Sequence, residues 1–208
     1  MSQGKFIAFE GGEGAGKSTQ ARLLADALAA RGVPCEITRE PGGTPGAEAI
    51  RVLLLGTEGE GWHPRAEALL FAAARSDHVE RRIVPALQAG RWVICDRFVD
   101  SSRAYQGGAG GLSDAEVMDL HRIGSHGLLP DLTVLVEVSP QVAALRARVR
   151  DGDAPDRIGG RGAGYHAKVA AAFARLADAD PSRFARINGD GAAEQVAAAV
   201  LAGIEPLL

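Results

Sequence analysis

The chain is poor in aromatic residues and nearly without sulfur. Aromatics make up 5% of its 208 residues, and it has two cysteines and two methionines. Two cysteines cannot form the disulfide framework of small secreted domains. Cys35 and Cys95 lie in apolar runs, VPCEI and WVICD, with no ligand-like neighbour, so the expectation is two buried, reduced thiols. No apolar run reaches the ~18 residues of a membrane span, and the opening stretch MSQGKFIAFEG lacks the apolar core of a signal peptide. These absences predict a cytoplasmic protein with no membrane partner. An excess of positive charge is missing too. Lys and Arg number 23 against 26 Asp and Glu, a net charge of −3, which argues against a general nucleic-acid binder. What remains is an ordinary globular balance, 46% hydrophobic and 24% charged, in a chain long enough for one large α/β core.

Apolar strands alternate with helices along the chain. KFIAFE (5–10), CEITR (35–39), RWVICD (91–96), DLTVLVEV (131–138) and a short FARIN read as strands. Between them the pattern predicts helices: from Lys17, with Leu24 and Leu28 on one face; over AEAIRVLLLG; from Pro64 to about Gln88; and over LSDAEVMDLHRIGSHG. The last of these carries a capping-box pattern, Ser113 with Glu116. Further helices are expected from Pro140 to about Arg150, from about Tyr165 to Ala179, and over the alanine-rich C-terminus. Such alternation implies a parallel sheet covered on both faces. No repeat or long linker divides residues 1–208, so a single domain is expected.

The strongest motif is FEGGEGAGKSTQ at residues 9–20. Gly11-x-x-x-x-Gly16-Lys17-Ser18 matches a P-loop, and it lies between a strand and a helix as the mechanism requires. The backbone of Gly11, Gly12, Gly14, Ala15 and Gly16 can curl around phosphate oxygens, with Thr19 continuing into the helix. Lys17 can reach the terminal phosphates, and Ser18 can ligate Mg2+. The loop implies a nucleoside triphosphate and leaves the reaction open. WVICDRF ends an apolar strand in Asp96, as a Walker B strand does, and its carboxylate is a second candidate for Mg2+. Arg97 follows it at the end of the sheet where ligands bind. DRIGGRGAG, from Asp156 to Gly164, sets Arg157 and Arg161 on a glycine-hinged loop, the composition of a lid spanning about 152–164. Phosphoryl transfer calls for such cations on several sides of the moving group.

These motifs together resemble the bacterial thymidylate kinases of the P-loop nucleoside monophosphate kinase group. The carriers are FEGGEGAGKST (9–19), TREPGGT (38–44), ALLFAAARSDHV (68–79), DRFVDSSRAYQGG (96–108) and DRI (156–158), and the likeness runs from about residue 5 to the C-terminus. The resemblance implies a P-loop NTPase fold, a three-layer sandwich with five parallel strands in the order 2-3-1-4-5, and a homodimer with the 64–88 helix in its interface. It implies transfer of a phosphoryl group from ATP to dTMP with Mg2+. Two other readings compete: a kinase for a different small acceptor, and a nucleotide switch of the GTPase type. The switch should carry an NKxD-like signature, and none is present.

Site residues follow from the matching motifs. Phe71 corresponds to the aromatic that stacks on thymine and Arg75 to the arginine that bonds a base carbonyl. Ser102, with Ser101 beside it, corresponds to the polar contact to the ring nitrogen. Tyr105 crowds the sugar and selects deoxyribose, and Gln106 lies near the acceptor pocket. Arg51 and Arg97 grip the acceptor phosphate, and Glu40 and Pro41 line the base and sugar. Glu13, an odd charge for a phosphate loop, matches a carboxylate that holds the 3′-hydroxyl of dTMP. Adenine contacts are expected from Arg146 and the 187–190 turn. In the group this chain resembles, a basic residue stands either inside the P-loop or on the lid; the P-loop here has none, so the resemblance implies a lid arginine. Arg157 is that candidate, and Arg161, a second ATP-side arginine, is the alternative that could share or take the role. In the proteins it resembles an acidic residue follows DRI; here Gly159 and Gly160 follow.

Overall fold

β1 (Phe6–Glu10) is buried along its whole length. Successive side chains of a strand point to opposite faces. Phe6 and Ala8 accordingly join Ile83, Leu87 and Phe98 in one core, while Ile7 and Phe9 join Leu24, Leu28 and Ile94 in the other. A run without a polar break is what a parallel sheet covered on both faces requires. Each fully buried phenylalanine stabilises the fold by roughly 1.5–3 kcal/mol.

The computed structural model describes residues 4–56, 59–151 and 156–208, except for the side chains of 150 and 151. The first part of the expected lid, 152–155, therefore lies outside the described residues. β1, β2 (Cys35–Arg39), β3 (Trp92–Asp96), β4 (Leu132–Glu137) and β5 (Phe184–Asn188) form one parallel sheet. Its order is β2-β3-β1-β4-β5, as the resemblance implied. α1 (Lys17–Ala30) and α9 (Ala193–Ile204) cover one face. The other is covered by α4 (Val84–Gln88) with the π-helical turn Val79–Ile83 before it.

α2 (Pro45–Leu55) begins on Thr44, whose hydroxyl accepts from the Ala47 N–H at 3.2 Å. The expected 64–88 helix appears as α3 (Pro64–His78), the π-helical turn and α4. Pro85 has no N–H for the carbonyl of Arg81, and the turn before it widens. α5 (Val99–Ser102) and a π-helical stretch, Arg103–Ala109, follow β3 where no helix was expected. α6 (Asp114–Ser125) starts on the expected capping box: Ser113 Oγ accepts from the Glu116 N–H at 3.3 Å, and Glu116 accepts from the Ser113 N–H at 2.8 Å. α7 (Pro140–Asp151) follows β4, and α8 (Ala163–Ala179) packs on the π-helical stretch through Tyr105, Val169 and Phe173. Both cysteines are free; Cys95 is buried, but Cys35 is only half-buried because β2 lies at the sheet edge. Among the described residues no helix is long and apolar enough to cross a membrane.

The register sets the position of the site. Asp96 pairs with Phe9 on one side and with Arg39 on the other, so the C-terminal ends of β1, β2 and β3 meet. Parallel sheets bind ligands at that edge.

Candidate active site

Gly11 to Gly16 link the centre of the sheet to α1. Gly11 and Gly14 have positive φ, 139° and 70°, and a Cβ on either would strike a backbone carbonyl, of Val136 and of Ala143 respectively. Gly16 caps α1 in a left-handed conformation and offers no side chain, so the first N–H groups of the helix remain for a ligand. Lys17 lies within this cradle: its Nζ donates to the carbonyls of Gly11 at 3.1 Å and Gly12 at 2.8 Å. Burial and then the Arg97 charge lower its pKa to about 8, against the opposite pull of Asp96, Glu13 and Glu10. Ser18 Oγ donates to the Asp96 carboxylate in a short hydrogen bond. A hydroxyl and a carboxylate side by side, next to a phosphate cradle, suit Mg2+, which takes oxygen ligands and keeps few from the protein. The described residues hold no cluster of three or more acidic, His or Cys groups, so the metal's remaining ligands would be phosphate and water.

Arg97 is held more firmly than a surface strand-end arginine would be. Its backbone is left-handed, φ 70°, and its N–H bonds to Phe9 at 2.9 Å. That conformation is uncommon for a residue with a Cβ and persists where the surroundings impose it. One Nη donates to Gly11 O at 3.1 Å and Ser101 Oγ at 3.0 Å; the other donates to Glu13 at 2.6 Å and to the Tyr105 hydroxyl at 3.2 Å. The guanidinium also lies 4.9 Å from the centre of the Tyr105 ring. Burial opposes the charge on Arg97, but Tyr105, Glu13, Asp96 and Glu10 together raise its pKa. Glu13 therefore faces Arg97 and Tyr105, which answers why a phosphate loop carries it. Behind them Glu10 is fully buried. It accepts from Phe98 N at 2.8 Å, Ser101 N at 2.9 Å and Ser101 Oγ at 2.5 Å, fixing the turn that presents Arg97. Burial and then Asp100 push the Glu10 carboxyl up to about 7.

A cavity of about 720 Å³ opens over these groups. The P-loop from Glu13 to Thr19 forms one wall. Glu40, Pro41, Arg51, Phe71, Tyr105 and Gln106 line another part. The Glu40–Pro41 bond is cis, and Arg51 donates to the Pro41 carbonyl at 2.7 Å. Burial and then Arg39 lower the Arg51 pKa, against the opposite pull of Glu48, Asp156 and Asp96. Arg146 also lines the cavity and donates to Gly189 O at 2.9 Å, joining α7 to the 187–190 turn.

One cavity thus joins a phosphate cradle to a pocket with an aromatic side chain and arginines. The sequence profile of the thymidylate kinases matches residues 9–200. A thymidylate kinase of Rhizorhabdus wittichii is 53% identical over 205 residues, covering 99% of each chain. One of Nitrobacter winogradskyi is 47% identical over 203 residues, covering 97% of this chain and 88% of its own. The chain belongs to the thymidylate kinase family. Among solved structures, a thymidylate kinase from Ehrlichia chaffeensis superposes with a TM-score of 0.78 at 29% identity, over 98% of this chain and 100% of that one.

As a thymidylate kinase, the chain places the expected site residues in two groups. Glu13, Glu40, Pro41, Arg51, Phe71, Tyr105, Gln106, Arg97, Asp96 and Arg146 line the cavity. Arg75, Ser101 and Ser102 do not: they are buried behind its wall. Arg75 bonds Glu40 at 2.7 Å, Ser102 Oγ at 2.9 Å and Phe98 O at 3.2 Å. Glu40 is held in turn by His78 Nδ1 at 3.0 Å, and His78 Nε2 meets Thr38 Oγ1 at 2.7 Å. Of the lid, Asp156 and Ile158 reach the cavity, while Arg157 and Arg161 do not line it. Arg157 Nε donates to Gly56 O at 2.6 Å, at the end of α2. Arg161 is bonded to Glu67 and to the Tyr165 hydroxyl. Sequence reasoning missed Glu10, Arg39, Glu67 and His78. Glu10, Arg39 and His78 stand inside quoted motifs, and Glu67 lies one helical turn before Phe71, so position alone could have flagged all four.

Proposed function

We propose that this thymidylate kinase transfers the γ-phosphoryl group of ATP to the 5′-phosphate of dTMP, giving dTDP and ADP. The observation that carries this reading is Glu13: a phosphate-loop residue paired with Arg97 and Tyr105, on the side where Phe71 and Gln106 line the same cavity. The P-loop backbone and Lys17 hold the ATP phosphates, the lysine exchanging two carbonyls for phosphate oxygens. Mg2+, held by Ser18 and Asp96, neutralises phosphate charge when bound. Arg51 and Arg97 grip the phosphate of dTMP, and Glu13 accepts from its 3′-hydroxyl, which orients the acceptor for in-line attack. The attacking phosphate oxygen bonds to the γ-phosphorus as the bond to the β–γ bridging oxygen breaks and ADP leaves. Phe71 stacks on thymine, Tyr105 crowds the sugar, and Glu40 and Pro41 close the pocket. Gln106 lies beside them. Arg75, with Ser101 and Ser102, supports that wall and acts on the base through it. Arg146 and the 187–190 turn flank the adenine.

Arg157 is the lid arginine that completes the clamp. Arg161 is tied to a buried carboxylate and is the weaker candidate. In an ADP-release assay over a panel of monophosphates with ATP and Mg2+, dTMP should give the highest kcat/KM. In the same assay Arg157→Ala should lower kcat by a factor on the order of 10². A preference for dCMP or AMP would overturn the acceptor assignment, and a larger loss from Arg161→Ala would exchange the two arginines.

A homodimer in a cytoplasmic setting belongs to the same proposal. Leu69 on α3 and Ile123 on α6 are 56% and 71% exposed, on two helices that pack together. Apolar side chains left on paired helices fit burial by a second copy. Light scattering should give twice the 21.6 kDa chain mass, and Leu69→Asp should shift it to the monomer. A wild-type monomer at all working concentrations would remove the dimer.

A further inference from the structure

Glu67 is a buried carboxylate that the transfer reaction, as described, does not use. It sits in the first turn of α3, 4% exposed, one turn before Phe71. Its two oxygens are divided between two parts of the molecule. Oε1 accepts from Gln106 Nε2 at 2.9 Å, and Gln106 lines the cavity. Oε2 takes the Arg161 guanidinium in a short ion pair. Arg161 goes on to donate to the Tyr165 hydroxyl at 2.6 Å, with its guanidinium 4.7 Å from the centre of that ring. The Tyr165 hydroxyl in turn donates to the backbone carbonyl of Tyr105 at 2.9 Å. Tyr105 is the residue that meets Arg97 and Glu13.

We propose that Glu67 is a positioning residue that joins the acceptor pocket to the C-terminal arm of the lid. One carboxylate fixes the amide of Gln106 on the pocket wall and anchors Arg161, so the pocket and the 156–165 arm are set by the same group. Three observations carry it. A buried charge needs a partner, and Arg161 is the one supplied. A carboxylate accepts at both oxygens, which an amide or hydroxyl in its place could not do. The links end on Gln106 and Tyr105, which line the cavity, and on Arg161 of the lid. Arg161 is then an anchor of the arm. The inference rests on the acceptor reading above for its kinetic part alone.

Glu67→Gln is the informative change. Its remaining oxygen can still accept from Gln106, but its NH2 then faces the guanidinium, donor against donor. The KM for dTMP should rise about tenfold and kcat fall several-fold, with the KM for ATP within about twofold of the parent, a coupling of ordinary size. Without any nucleotide, amide hydrogen exchange over residues 159–165 should quicken about tenfold, because a released arm opens locally more often. The double variant Glu67→Gln/Arg161→Gln should be no worse than the weaker single variant, since both remove one link. Val200→Ala, a buried change in α9 within the core on the other side of the sheet, serves as the stability control; it should leave the ratio of the two KM values unchanged. If Glu67→Gln leaves exchange and all kinetic constants within twofold of the parent, or if Val200→Ala reproduces its pattern, the proposal is overturned. A parent enzyme inactive on dTMP would fail the acceptor reading alone, because the exchange measurement needs no substrate.

Discussion

Arg97→Met should lower kcat/KM for dTMP by a factor on the order of 10³, the loss seen when a preorganised cation is removed from a transferring group. The side chain touches both halves of the site: Gly11 of the phosphate loop, Glu13 above it, Ser101 and Tyr105 beside it. Methionine keeps much of the apolar stem and none of the donors. Glu13 would lose its Arg97 partner and keep the Tyr105 hydroxyl, so part of the loss is a rearranged carboxylate beside the acceptor. Stability should fall less than activity. The pair is 17% and 20% exposed, so water can reach Glu13, and about 1–2 kcal/mol is a fair scale. Glu13→Gln is the milder counterpart. It keeps an acceptor for the sugar hydroxyl and removes the charge, so the dTMP KM should rise about tenfold while ATP binding holds. Steady-state kinetics with each substrate varied, beside a thermal melt, separates these effects. An Arg97→Met enzyme within tenfold of the parent would place the acceptor phosphate elsewhere.

Arg75→Met should be the most destabilising of the changes considered. Arg75 and Glu40 have side chains 4% exposed each, joined at 2.7 Å, and no water can replace either partner. Removing one member of a buried pair leaves an uncompensated charge, at about 3–5 kcal/mol. For a chain of this size that corresponds to a fall in Tm of roughly 10 °C. Ser102 and the Phe98 carbonyl lose a donor in the same step. Glu40→Gln/Arg75→Met should recover part of the loss, because the second change removes the stranded charge. Calorimetry on the three variants is the measurement. A Tm within 2–3 °C of the parent, about 1 kcal/mol, with a raised dTMP KM would make Arg75 a direct contact to the base after all.

Arg75 also shows where the sequence stopped being legible. The strands were readable because a sheet covered on both faces needs unbroken apolar runs, and FIAF and WVIC are such runs. The phosphate loop was readable because its chemistry is local: the consecutive residues 11–18 supply the cradle, the lysine and the helix start. Strand order was available only through the resemblance, since an apolar strand does not say which strand lies beside it. The buried charges were opaque for the same reason. Arg75 meets Glu40 across 35 positions, Ser101 meets Glu10 across 91, and Arg161 meets Glu67 across 94. A lone charge reads as a surface residue until its distant partner is known. The helical segment 99–109 was missed for a local reason. VDSSRAYQGGA has low helix propensity, and its shape comes from Glu10 and the packing of Tyr105 against α8. Of the site, the residues on the cavity wall were largely named in advance; of the layer that holds them, Arg75, Ser101 and Ser102 were named, but as contacts to the ligand.

The pairing of the cavity's cations with its own carboxylates has a consequence for life among competing anions. Arg97 is already answered by Glu13, and Arg39 by Glu48 at 3.0 Å. Such a site is a poor ion exchanger. Orthophosphate or a stray sugar phosphate must displace a resident carboxylate with nothing but charge, and an exchange of one anion for another gains little. On the proposed roles, a deoxynucleotide would bring a flat ring for Phe71 and a hydroxyl for Glu13, so the displaced carboxylate would find a new partner. The internal counter-ions act as a filter, keeping the clamp quiet toward the abundant small anions and opening it to the ligand that satisfies both signs of charge.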